Sequence, residues 1–207
     1  CYSFIIQPIV QFMKSDKDYL LFIDCDSKII NPDFIKNYLS CILENKEVVC
    51  GGLEYEQTAP TDKNLYFRWY YGVHREYRVV EERTRNPFKS FSSFNFLIKK
   101  ETFQLVNFDE KLTTYGHEDT LLGIELKKLK KEIRHISNPL LHDGLEDTDV
   151  FIYKTKQSVK NLKYLYDSYA DKEILVNSIK LLRYIQIVMN MRLDWLFKIC
   201  FKAFNSI

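Results

Sequence analysis

The stretch YLLFIDCDSKII, residues 19–30, constrains the fold of this chain more than any other. Tyr19 to Ile23 is an unbroken run of large apolar and aromatic side chains, the pattern of a strand buried on both faces. The run ends in Asp24 and Asp26, one cysteine apart. Residues i and i+2 of a strand share a face, so both carboxylates can converge on one ligand at the strand's carboxyl end. Charges this close repel, so a positive charge is expected to offset them. Two hard oxygen ligands with open positions suit Mg²⁺ or Mn²⁺ bound together with a phosphate-bearing substrate. A polar turn after a strand has the same composition, and the motif alone does not choose between the two.

The segments beyond Ile30 place that strand in an α/β frame. In NPDFIKNYLSCILEN, Asn31 can cap a helix, Pro32 suits its first position, and Phe34, Ile35, Tyr38, Leu39 and Ile42 recur at helical spacing. EVVCGG, residues 47–52, reads as a short strand closed by glycines, which completes a strand–helix–strand unit. Residues 62–83 read as one aromatic helix with Tyr66, Trp69, Tyr70, Val73 and Tyr77 on one side, broken at Asn86-Pro87. FSSFNFLIKK (91–100) reads as a strand, 101–106 as a short helix, 119–131 as an amphipathic helix, and 132–144 as a strand running into a loop. Beyond residue 149 the pattern is helical.

The bulk composition excludes several classes. Thirty basic against 28 acidic residues leave a net charge of +2, without the basic excess of a nucleic-acid binder. Cys1, Cys25, Cys41, Cys50 and Cys200 are odd in number and form no CxxC pair, so neither a disulfide framework nor a zinc site is suggested, and a reducing cytosol is the simplest setting. The apolar stretch 184–204 has Arg183, Arg192, Asp194, Lys198 and Lys202 in or beside it, too many charges for a membrane span. Two readings remain for it: a helix packed on the domain or a partner, or an interfacial helix lying on a membrane.

Two further constellations bear on chemistry. Tyr115-Gly116 makes a turn, and Glu118-Asp119 then open a helix whose apolar face includes Leu121, Leu122, Ile124 and Leu126. Acids at a helix start are favoured by the macrodipole alone. An acid held there is also rigid enough to take a proton from an incoming hydroxyl. A zinc-protease reading fails, because His117-Glu118 lacks a second His four residues after the first. His142, in NPLLHDG, reads either as a structural imidazole or as a third cation ligand if the fold brings it to the aspartates.

In order along the chain, LLFIDCDSKI, FSSFNFLIKKETFQLVNFDEKL, TTYGHEDTLLGIELKKL and NPLLHDGLED resemble the motif series of the family 2 inverting glycosyltransferases. The third is also similar to the ED acceptor motif of β-1,4-galactosyltransferase-like enzymes. The resemblance spans residues 16–156 and implies an α/β, GT-A-like (Rossmann-like) mixed sheet flanked by helices. By the same resemblance, residues 1–156 are a partial catalytic domain lacking its first nucleotide-binding βα units, and 157–207 a helical C-terminal extension. It implies that Asp26, supported by Asp24, binds Mn²⁺ or Mg²⁺ on a nucleotide-diphosphate sugar such as a UDP-sugar, with His142 as a further ligand. Asn95 belongs with Asp24 and Asp26 on the donor side. Asp119 is the implied general base, while Glu118, Tyr115 and Gly116 form the acceptor side for a glycan or lipid-linked acceptor. The implied setting is surface-polysaccharide synthesis in the cytoplasm, peripheral at the inner face of the plasma membrane.

Two other readings compete. A haloacid-dehalogenase-like phosphatase also starts from an apolar strand and DxD, but wants Thr or Val where this chain has Lys28, and it has no place for the ED and His segments. A truncated, non-catalytic transferase-like interaction module is the third.

Overall fold

In the computed structural model the described residues are 15–106, 116–192 and 195. Two compact units divide the chain, Cys1–Tyr164 and Leu165–Ile207. The first unit is α/β. Its larger sheet has four strands in the order β1 (Tyr19–Ile23), β5 (Asn95–Lys99), β3 (Val48–Cys50), β6 (Ile133–His135). A second sheet has the order β2 (Ser27–Ile29), β7 (Leu140–His142), β4 (Leu53–Glu54). Both sheets are mixed. β5 runs antiparallel to β1 and β3, while β3 and β6 are parallel. The strand–helix–strand unit therefore does make β1 and β3 co-directional, with the later β5 inserted between them.

Helices cover both faces of the larger sheet. Alternation along β3 and β5 sends Val49 and Leu97 to one face, where they pack with Phe34, Tyr38 and Cys41 of α1 (Phe34–Leu43). Val48, Cys50, Phe96 and Ile98 face the other way. They meet Phe103 of α4 (Lys100–Leu105) and Leu122 and Leu126 of α5 (Glu118–Lys128). Ile98 and Val48 are fully buried. Each such apolar side chain contributes roughly 1.5–3 kcal/mol by leaving water.

β1 corrects one expectation. Its faces pack on both clusters, through Leu20 and Phe22 on one side and Tyr19 and Leu21 on the other. Yet it is only half-buried, because it lies at the sheet edge with one neighbouring strand. The strands buried on both faces are β3 and β5. On α1 the buried set is Phe34, Tyr38 and Cys41, whereas Ile35 and Leu39 are exposed. Asn31 does act ahead of the helix: its Oδ1 accepts the Asp33 N–H at 2.9 Å.

The aromatic helix is interrupted. α2 (Lys63–Tyr71) begins at Asp62, whose carboxylate accepts the Asn64 N–H, runs into a π-helical turn at Gly72–Glu76, and stops before α3 (Val80–Arg85). Its buried side chain is not aromatic: Arg68 is 4% exposed, while Tyr66, Phe67 and Tyr70 face outward. The segment 132–144 forms two strands, β6 and β7, in different sheets, because Asn138-Pro139 breaks the ladder between them.

α6 (Thr148–Ser168) carries the chain from the first unit into the second. There α7 (Lys172–Ser178) and α8 (Lys180–Asn190) bury Leu175, Val176, Ile179 and Leu182. On α8, Leu181, Tyr184, Ile185 and Ile187 are exposed. Most of the stretch 193–204 lies outside the described residues. No helix among the described residues is long and apolar enough to cross a membrane.

Candidate functional site

The carboxyl end of β1 and the amino end of β5 lie side by side, and this juncture gathers the site. The Asp24 N–H donates to the Phe94 carbonyl at 3.0 Å, so the loop before β5 is tied to the first aspartate. One residue earlier, the Ser93 N–H donates to Asp119 Oδ1, also at 3.0 Å. A single loop thereby links the aspartate of residue 24 to the acid pair almost a hundred residues later. From the other sheet, β2 pairs with β7 so that Ser27 stands opposite His142, and the Asp143 N–H donates to the Asp26 carbonyl at 2.9 Å. That register sets the Asp26 carboxylate 3.9 Å from His142 Nε2.

These elements surround a cleft of about 520 Å³, lined among others by Asp24, Arg68, Glu118, Asp119 and His142. Gly116, with φ +107°, and His117, left-handed at φ 75°, make the sharp turn that starts α5 at the acids. Glycine adopts such a φ without strain, whereas histidine does not, and strain of this kind gathers at functional positions. A side chain at 116 would also run into Ser158.

Burial sets the charges. Asp24 is pushed up to about 6, first by loss of water and next by the charge on Asp26. Glu118 is pushed up to about 7, again by burial first and then by Asp119. Asp119, half-buried in the cleft wall, is raised by loss of water as well, while hydrogen bonds from Ser92 and Ser93 pull the other way. His142 is held below its ordinary value, chiefly by burial and then by Arg68. Its ring is stacked between Tyr55, at 5.2 Å between centroids, and Phe94, at 5.3 Å. A neutral, clamped imidazole results.

Among the described residues, four buried side-chain atoms have no hydrogen-bond partner: Asp26 Oδ1, Arg68 Nη1, Glu118 Oε2 and His142 Nδ1. All four belong to residues that line the cleft or touch one that does. Buried polar atoms are paired in the great majority of cases, so orphans collected at one place leave donors and acceptors open to a ligand or to water.

No group of three His, Cys, Asp or Glu side chains among the described residues converges tightly enough to form a metal cage. Asp26 and His142 nevertheless fit a shared cation. Two ligands about 2.1 Å from one ion lie at most about 4.2 Å apart, and the observed separation is 3.9 Å. Asp26 also keeps an unpartnered oxygen. A pair of protein ligands with the rest from substrate and water is the usual Mg²⁺ arrangement. Asp24 lines the same cleft, with its Oδ1 accepting the Cys25 N–H at 2.8 Å.

Asn95 sits at the cleft but is 1% exposed, with its amide already engaged. Its Oδ1 accepts Tyr38 Oη–H at 2.5 Å, and its Nδ2 donates to the carbonyls of Gly52 and Asn138 at 2.9 Å each. Tyr115 lies outside the described residues. Sequence reasoning missed Arg68 and Tyr55, which the fold brings against His142, and Glu76, which pairs with Arg68. The only signal for them was one arginine amid the aromatics of KNLYFRWYY.

No family model matches the sequence, and no curated protein matches it. Among solved structures, the crystal structure of S. aureus TarS is similar at 12% identity with a TM-score of 0.44, over 82% of this chain and 28% of that one. The structure of S. aureus TarS 1–349 is similar at 13% identity with the same TM-score, over 82% of this chain and 47% of that one. The chain spans less than half the length of either, and likeness at this level assigns neither a family nor an activity.

Proposed function

We propose that this cleft is the catalytic site of a GT-A-like inverting glycosyltransferase, moving a sugar from a nucleotide-diphosphate donor such as a UDP-sugar to an acceptor hydroxyl on a glycan or lipid carrier. The observation that carries the reading is convergence. Three motifs remote in sequence converge: Asp24, Glu118, Asp119 and His142 line one cleft, Asp26 lies 3.9 Å from His142, and these motifs carry three of the four unpartnered buried atoms among the described residues.

In this reading the acid pair of α5 receives the acceptor. Asp119, held by Ser92 and Ser93, takes the acceptor's hydroxyl proton while Glu118 orients the sugar. The acceptor oxygen bonds to the anomeric carbon as the bond to the diphosphate oxygen breaks on the opposite face, which inverts the centre. Asp26 and His142, with Asp24 beside them, would hold Mn²⁺ or Mg²⁺, which when bound supplies positive charge to the departing diphosphate. Neutral His142 suits that role, since protonation would remove its ligating lone pair. The exposed apolar side chains of α8 support the further proposal of a peripheral membrane contact.

Incubation of the chain with Mn²⁺ and a panel of UDP-sugars tests the reading. Sugar release or transfer is expected, reduced about 10²–10⁴-fold in Asp119→Ala with nucleotide affinity nearly unchanged. In Asp26→Ala, metal-dependent donor binding should weaken instead. Turnover left intact by both substitutions would refute the assignment.

A further inference from the structure

The cleft's two buried arginines use their donors differently. Arg83 is saturated. Its Nε donates to the Arg78 carbonyl, its Nη1 to Cys50, and its Nη2 to Gly51 and Ile136, at 2.7–3.3 Å, with His135 Nδ1 3.2 Å from Nη1. That arginine is a structural tie. Arg68 makes its contacts with Nη2: the Tyr55 hydroxyl at 3.1 Å, Glu76 Oε2 at 3.1 Å and His142 Nε2 at 3.5 Å. Its Nη1 is buried and has no partner, on a residue that lines the cleft.

A guanidinium cannot shed its charge or its donors, so an empty Nη1 at 4% exposure is a recognition element awaiting an acceptor. The group is also pre-set. Tyr55 and Phe151 rings lie 5.6 and 5.0 Å from Cζ, and the Glu76 carboxylate, itself taking the Tyr55 hydroxyl, holds the opposite end. A planar fork held in this way favours oxyanions, since charge-assisted bonds to phosphate-type oxygens are shorter and stronger than those to neutral ones. The candidate cation ligands Asp26 and His142 lie alongside, and an anion is what lets a cation and an arginine share one corner.

We propose that the cleft contains an oxyanion subsite built on Arg68, whose Nη1 donates to an anionic oxygen, of a phosphate or a carboxylate, on the bound substrate. The transferase reading supplies the carriers of that oxygen, the donor's diphosphate or an acidic group on the acceptor; the subsite itself rests on Arg68.

Calorimetric titration of inorganic pyrophosphate into the whole chain, without added metal, reads the subsite directly. Arg68→Gln should weaken binding about 10–100-fold. Glu76→Gln frees the guanidinium from its counter-ion and should tighten binding several-fold, whereas Glu82→Gln, at an exposed acid of α3, should not. Unchanged affinity in Arg68→Gln overturns the proposal. If that variant's melting curve shows it unfolded, the two glutamate variants decide, and equal affinities for them overturn it. Titration of glucuronate in parallel identifies the source: preference for pyrophosphate points to the donor, preference for glucuronate to an acidic acceptor. A chain that binds pyrophosphate through Arg68 but transfers no sugar would sink the transferase reading and leave the subsite standing. A chain that transfers sugar with neither substrate's KM moved by Arg68→Gln would sink the subsite alone.

Discussion

At the scale of single residues, Glu118 is where burial and chemistry conflict most openly. Its carboxyl is raised to about 7 by burial and then by Asp119, and one oxygen has no partner. A folded-state pKa above the ordinary 4.5 means the native protein holds this proton more tightly than the unfolded chain does. Between pH 4.5 and about 7 the unfolded state is already deprotonated, so stability falls as pH rises through that window. Glu118→Gln removes the conflict. Its melting temperature should exceed the parent's by several degrees at pH 8 and match it at pH 5, at about 2–4 °C per kcal/mol for a chain of this size. Thermal melts at the two pH values check this, and equal shifts at both would refute it. Residue identity alone made the acids at 118 and 119 legible as candidates. Arg68 was not legible, because nothing local distinguishes a buried arginine from a solvated one on an aromatic helix.

At the scale of elements, the cleft depends on loops held at strand ends. Asn138, fully buried between β6 and β7, joins several of them. Its Nδ2 donates to the Phe34 carbonyl, its Oδ1 accepts from Asn37 Nδ2 at 2.9 Å, and its carbonyl accepts from Asn95. Asn138→Ala keeps the backbone bond but removes the side-chain ties to Asn37 and to the Phe34 carbonyl. A loss of about 2–4 kcal/mol in urea unfolding is expected. A change below about 0.5 kcal/mol would refute the tie. Elements with one strong period were readable from sequence, such as the α5 helix at 118–128. Edge position was not. The apolar run at 19–23 looks fully buried, yet pairing decides that it borders the sheet, and pairing is a long-range property.

At the scale of the whole molecule, a cation binding the folded state alone should stabilise all of the first unit. At a hundred times its dissociation constant, Mn²⁺ adds about 2.7 kcal/mol, or about 5–11 °C in melting temperature. Asp26→Asn should abolish the shift, and a persistent shift would remove Asp26 from the ligand set. Gly144 makes a second check at this scale. Its Cα lies so near Asp26 that a Cβ would collide with that side chain, so Gly144→Ala should reduce the same shift while leaving the fold's far-UV signature intact.

By itself the sequence determined the α/β class, most element positions, and the chemical types at residues 24, 26, 118, 119 and 142, because these follow from local periodicity and side-chain chemistry. Only the tertiary structure decided which of them meet. The β1–β5 and β2–β7 registers bring Asp24 toward Asp119 and Asp26 toward His142. The packing of α2 sets Arg68 against the same histidine, with Glu76 paired to Arg68. Burial then raises Glu118 and leaves Arg68 Nη1 unpaired, and desolvation depends on everything packed around a group, which no local stretch of chain encodes.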